Sequence, residues 1–143
     1  MDENDLMKTE WRIKLLESTY QNVQIKEEVQ YPSNWEPQKE DIAEFVVPQT
    51  SAEFQKVQDL FKLGKIKALI RIQNKIIYKK YYEEGLFLKN YNGGQMVKKM
   101  ELFHGTRNTN PEEIYKDKEE SFNINYSSDS NLLGRGIYFA EKS

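Results

Sequence analysis

The only histidine in the chain, His104, stands in the stretch ELFHGT, residues 101–106. It follows the apolar pair Leu102-Phe103 and precedes Gly105-Thr106, which predicts a short strand over 100–104 that ends in a turn. A glycine after a strand lets a ligand approach the backbone closely and leaves its N–H and C=O open to hydrogen bonding. His104 adds a donor or acceptor and Thr106 a hydroxyl. The plainer alternative is a lone histidine that satisfies a backbone group at a strand end. Residues 134–140 read GRGIYFA. Two glycines permit a tight or left-handed turn. The strand expected over 137–140 then alternates, with Ile137 and Phe139 on one face and Tyr138 and Ala140 on the other. Tyr138 has its own plain alternative, an aromatic ring packed in the core with its hydroxyl at the edge. Gly134-Arg135-Gly136 lacks the longer glycine pattern of a phosphate loop. Taken singly, neither motif decides a chemistry.

Composition narrows the possibilities. The chain has 143 residues, 38% of them hydrophobic and 31% charged, with a formal charge of -2. That length suits one domain, and that charge predicts neither direct nucleic-acid binding nor membrane adsorption. No stretch nears the roughly 20 apolar residues of a membrane span, and the acidic opening MDENDLMKTEW is unlike a secretory leader. Without cysteine, and with one histidine, neither disulfides nor a conventional zinc or non-haem iron site is expected. The reading is a metal-free intracellular protein of the nucleus or cytoplasm.

The elements that must position the two motifs can be read along the chain. Residues 1–30 form a polar leader or linker, with a helix plausible over 9–18, and 31–143 form the domain. YPSNWEPQ, residues 31–38, is extended, because its two prolines disfavour helix. Phe45-Val46-Val47 before Pro48 predicts a strand. A helix follows over 50–64, capped by Thr50 or Ser51, striped by Phe54, Val57, Leu60 and Phe61, and ended by Gly64. Residues 65–73, KIKALIRIQ, alternate as a strand with Ile66, Ala68, Ile70 and Ile72 on one face. Asn74 caps a long helix over 75–91, weakened at Gly85 and broken by the loop at 91–94. Asn110-Pro111-Glu112-Glu113 starts a short helix expected to end near Glu120. Phe122, Ile124 and Tyr126 are expected along one side of an extended stretch, followed by a polar loop over 127–131. Strands and helices in this order predict an α/β or α+β architecture.

Taken together, LFHGT and GRGIYFA resemble the catalytic domain of the poly(ADP-ribose) polymerase (PARP) family, the diphtheria-toxin-like ADP-ribosyltransferases. YPSNWEP, TSAEFQKVQDLF and IKALIRIQN agree with it in order, so that the resemblance runs over residues 31–143. It lies closest to the mono-ADP-ribosyltransferase members. The resemblance implies the N-terminal part of the ADP-ribosyltransferase fold, in which split antiparallel sheets with flanking helices hold NAD+ in a groove. It further implies transfer of ADP-ribose from NAD+ to a protein or other macromolecular acceptor, with release of nicotinamide. By position, His104 matches the histidine that hydrogen-bonds the adenosine-side ribose. Gly105 matches the residue that holds the nicotinamide amide through its main chain, and Tyr138 the tyrosine that lines the nicotinamide side. Thr106 is a supporting candidate. NAD+ enters as substrate and no metal is implied. This chemistry builds oxocarbenium character on a ribose whose leaving group is already cationic, so positioning and charge stabilisation matter more than acid catalysis.

The sequence also departs from the family pattern. The pocket serine and stacking tyrosine, the triad glutamate and the closing strands would all lie beyond Ser143. Ser143 itself comes too soon after Tyr138 to serve as that serine, and none of Glu119, Glu120 and Glu141 occupies the triad position. The expectation is therefore an incomplete, catalytically silent fragment with apolar faces and unpaired strand edges, unstable or poorly soluble on its own. The alternative is a non-catalytic module that binds NAD+ or ADP-ribose, or a protein partner.

Overall fold

The computed structural model describes residues 10, 12–14, 16, 28–127, 131 and 133–143. Its described part is a small α+β fold in which one two-stranded antiparallel sheet is accompanied by a few helices. Two compact units are distinguishable: Met1–Ser33 with Lys79–Lys98, and Asn34–Tyr78 with Lys99–Ser143. Residues 10, 12–14 and 16 are helical; the rest of the helix expected over 9–18 lies outside the described residues.

The sheet belongs to the second unit. Strand β1, Ile42–Val46, pairs with β2, Ile70–Asn74, in a register that sets Ile42 opposite Asn74 and Val46 opposite Ile70. Val47 N–H to Leu69 C=O at one end and Lys75 N–H to Asp41 C=O at the other, both 2.9 Å, extend the ladder. Pro48 has no N–H, so the pairing cannot run on, and the strand expected over 65–73 is ordered as strand only from Ile70. Helix α1, Ala52–Leu60, crosses between the strands. Ser51 caps it by accepting the Phe54 N–H at 3.1 Å. It ends before Gly64, with Phe61 as C-cap. Phe54 on α1 and Val47 just after β1 are buried, with 7% and 3% exposure.

The most deeply buried side chains on β2 are polar. Gln73 has no exposed surface and Asn74 only 9%, whereas Ile70, expected on the buried face, is exposed. Gln73 behaves as a short length of strand backbone. Its Oε1 accepts the Glu36 N–H at 2.8 Å, and its Nε2 donates to the Glu36 C=O at 2.9 Å and to Gln38 Oε1 at 2.7 Å. The extended segment around Trp35 is thereby tied to the sheet. Arg71, two residues earlier, donates to Asn34 C=O and to the carboxylates of Glu53 and Glu36 at 2.7, 2.9 and 3.0 Å. This links the segment, α1 and β2.

Asn74 works in two directions. Its Oδ1 accepts the Ile77 N–H at 3.0 Å and so caps α2, Lys75–Tyr91. Its Nδ2 donates to the carbonyls of Tyr115 and Asp117 at 3.0 and 2.9 Å. Those carbonyls belong to the last residue of helix α3, Pro111–Tyr115, and to the chain just after it; Asn110 caps α3 as expected, but the helix ends well before Glu120. Tyr115 donates its hydroxyl to Glu44 at 2.7 Å. Accepting that hydrogen bond, Glu44 holds the phenol above its ordinary value of 10.0. The bond is therefore present below the unfolded-state value and lost as pH rises through the raised folded-state value, where a tyrosinate has no hydrogen to donate.

Within the first unit, α2 closes with Gly94 N–H to Lys89 C=O at 2.9 Å and Gly93 N–H to Asn90 C=O at 3.2 Å. Gly93, at φ +70, takes the left-handed conformation this pair of bonds requires. Beyond Ser121, residues Ile124–Tyr126 form a 3-10 turn rather than the expected extended stretch. Asn123 is responsible: its side chain accepts the Asn125 N–H at 2.8 Å and starts the turn.

Replacing Gln73 by Ala strips partners from both backbone groups of Glu36 and from Gln38. At about 1–3 kcal/mol for each polar group left without a partner, discounted because Glu36 can rehydrate, Gln73→Ala should cost about 2–3 kcal/mol. Chemical denaturation followed by circular dichroism measures it; an unchanged midpoint would contradict this role.

Candidate functional site

The two motifs meet. Phe103 and Ala140 form an isolated antiparallel bridge in which each N–H donates to the other's C=O, at 2.8 and 2.9 Å. The strands expected over 100–104 and 137–140 are reduced to this one pair. Leu102 and Phe139 remain close to half exposed, at 44% and 46%.

The bridge sets His104 against the opposite chain. Its Nδ1 lies 2.8 Å from the Tyr138 carbonyl oxygen. A carbonyl oxygen can only accept, so Nδ1 carries the hydrogen, and Nε2 is an acceptor whenever the ring is neutral. The plain role considered for a lone histidine, satisfying a backbone group, is thus filled by one ring nitrogen and leaves the other. The ring is braced by Phe122, edge-on at 4.9 Å between centroids, and by Phe139 at 5.3 Å, which themselves meet at 5.0 Å. A histidine held by one hydrogen bond and two aromatic rings has little rotational freedom.

Tyr138 is 40% exposed, and its hydroxyl donates to the Gly134 carbonyl. The ring therefore folds back over the glycine turn, where a Cβ placed on Gly136 would come 3.9 Å from its Cζ, an ordinary contact. Gly134, at φ +85, needs to be glycine; Gly136 does not on these grounds. Gly105 stands in open space, with no atom within 4 Å of a hypothetical Cβ. Nothing in the fold requires a glycine there.

The turn under Tyr138 is clamped by Ser127, a residue that sequence reasoning placed only in a polar loop. Its hydroxyl donates to the Gly136 C=O at 2.7 Å and accepts the Gly136 N–H at 2.9 Å and Asn131 Nδ2 at 3.0 Å. Its one donor and both acceptor sites are filled. No spacing marks this serine; only its capacity to bond both groups of one peptide residue could have suggested it. Phe122, also part of the site, carries no site signal in the sequence, where it stands only as one member of an extended alternation. Residues 128–130 of that loop lie outside the described residues.

His104, Gly105, Thr106 and Tyr138 line one cavity of about 690 Å³, within the roughly 300–1,000 Å³ usual for small-molecule sites. Phe122 and Tyr126 supply aromatic wall. Among the described lining residues there is no Asp or Glu. Glu141 is exposed and outside the cavity, and the backbone N–H groups of Glu119 and Glu120 both donate to Asp117 Oδ1. Ser143 Oγ accepts the Lys62 N–H at 2.6 Å, just past the C-cap of α1, and takes no part in the site. Among the described residues, no group of three or more His, Cys, Asp or Glu could hold a metal ion, and no helix is long and apolar enough to cross a membrane.

Ser127→Ala should release the turn while leaving the sheet intact. The expected result is amide exchange at Gly136 faster by about tenfold, as one to two net hydrogen bonds of about 1 kcal/mol each are lost. Ser127→Thr, which keeps the hydroxyl, should restore protection. Exchange measured by NMR checks this; equal protection in wild type and Ser127→Ala would contradict the clamp.

The chain matches no family model, no curated protein and no solved structure.

Proposed function

We propose that this chain carries the NAD+-holding part of an ADP-ribosyltransferase of the poly(ADP-ribose) polymerase type. The observation that supports it is the Phe103–Ala140 bridge, which gathers His104, Gly105, Thr106 and Tyr138 around a single cavity. In this reading His104 Nε2 accepts a hydroxyl of the adenosine-side ribose, while the bond from Nδ1 to Tyr138 fixes the tautomer. Gly105 offers its N–H and C=O to the nicotinamide amide, across the open space that a side chain would fill. The Tyr138 ring, braced through Gly134, lines the nicotinamide side.

The reaction these roles serve is displacement at the ribose. The C1′–N bond breaks, its electron pair leaves with nicotinamide as a neutral ring, and C1′ takes on oxocarbenium character. An oxygen or nitrogen of a protein acceptor bonds to C1′ and gives its proton to solvent. Neutral hydrogen-bonding groups suit this chemistry, because the cationic leaving group needs no proton. The finer fold expected of the family, split sheets flanking an NAD+ groove, belongs to this proposal.

One observation favours a second reading, a non-catalytic module that binds NAD+ or ADP-ribose. The described lining residues include no carboxylate that could complete a His-Tyr-Glu triad. Nicotinamide release separates the two readings, since a binding module leaves NAD+ intact.

Calorimetric titration with NAD+ tests the shared claim. Wild-type chain should bind, and His104→Ala should weaken binding about 2- to 12-fold, the equivalent of one net hydrogen bond of about 0.5–1.5 kcal/mol. Tyr138→Ala should weaken it at least as much, because ring contact is lost as well. No binding by wild type, or equal affinity in all three proteins, would refute the proposal.

A further inference from the structure

Arg107 follows His104, Gly105 and Thr106 into the same cavity, and neither composition nor motif singled it out. Of the described residues lining that cavity it is the only one with a fixed charge; none is Asp, Glu or Lys. Its guanidinium makes no hydrogen bond or ion pair with another described residue. The contrast with Arg71 is direct, since Arg71 spends its donors on Asn34, Glu53, Glu36 and Gln73 and is built into the fold. Among the described residues, Arg107 is uncommitted. Beside it, Asn108 and Thr109 also line the cavity and add neutral polar side chains.

A cavity whose described residues offer one guanidinium without a partner among them, and no acid, favours an anionic ligand. Guanidinium geometry suits phosphate in particular, because its fork offers parallel N–H donors to two oxygens of one group. We infer that Arg107 binds the diphosphate of an adenosine-diphosphate ligand. This rests on the reading of His104 as the ribose partner. Three residues of chain span at most about 10 Å, so a ribose at His104 has its attached diphosphate within reach of Arg107. The inference extends that reading by naming the group that gives the site its preference for nucleotide diphosphates over nucleosides.

The test compares wild type, Arg107→Gln and Arg107→Lys by calorimetric titration with ADP-ribose, ADP, NAD+, adenosine and inorganic pyrophosphate. Arg107 is exposed, and amide spectra verify that the variants keep the fold. Arg107→Gln is expected to weaken ADP-ribose and ADP at least about tenfold, with adenosine unchanged. Arg107→Lys, which keeps charge but loses the fork, should fall between. ADP-ribose binding that is equal in wild type and Arg107→Gln overturns the inference and leaves the function proposed above standing. Binding of ADP, but not NAD+, that still depends on Arg107 supports the inference and sinks the NAD+ reading. Pyrophosphate bound as tightly as ADP-ribose would show a plain anion site and overturn the nucleotide assignment. An absence of binding by every probe overturns both.

Discussion

The Gln73 carboxamide is the interaction on which the second unit is organised. With no exposed surface, it has to find partners inside the protein, since a buried amide without them costs about 1–3 kcal/mol. It finds them in the backbone of Glu36 and in Gln38, so an extended segment that no strand pairs is held as if it were one. Asn74, its neighbour, points the opposite way, as successive strand residues do, and fixes both the start of α2 and the chain just after α3. Two adjacent polar residues thus tie three segments to β2. Apolar burial alone would do this poorly, because Val47 and Phe54 are the only deeply buried apolar side chains among the described residues.

The cavity inherits its geometry from that arrangement. Asn74 holds the carbonyls of Tyr115 and Asp117. Asp117 in turn accepts the N–H groups of Glu119 and Glu120, and Ser121 Oγ donates to Ile114 C=O at 3.1 Å. The chain therefore reaches Phe122 at a defined place, edge-on to His104. From the other side, Ser127 clamps Gly136 and the bridge seats Ala140 on Phe103. The His104 ring is bounded by Phe122 and Phe139, from two separate stretches that are fixed by hydrogen bonds rather than by a long ladder. The site is consequently a product of local polar contacts, and single polar substitutions should loosen it in parts.

Local chemistry was legible in the sequence where a side chain reaches back to its own neighbourhood. Ser51, Asn74 and Asn110 cap the helices assigned to them, and the glycines at 93 and 94 end α2. Strands were less legible, because alternation states a preference that only a partner can realise. Residues 65–69 alternate well, yet Pro48 ends the opposite ladder, and Ile70 is left exposed. Phe122, Ile124 and Tyr126 alternate too, but Asn123 turns the backbone first. The meeting of ELFHGT with GRGIYFA was implied by resemblance alone; no periodicity relates residues so far apart. The roles of Gln73 and Ser127 had no sequence signal, since a glutamine in a strand and a serine in a loop are ordinary until their partners are known.

The central claim is that His104 offers a free ring nitrogen to a ribose hydroxyl while its other nitrogen is committed to Tyr138. With one histidine in the chain, the imidazole ¹⁵N spectrum reports that residue without ambiguity. At a pH where the ring is neutral, the account predicts hydrogen on Nδ1 and an unprotonated Nε2 whose resonance moves when NAD+ is added, with Nδ1 nearly unchanged. Hydrogen on Nε2, or a spectrum indifferent to saturating NAD+, would contradict it.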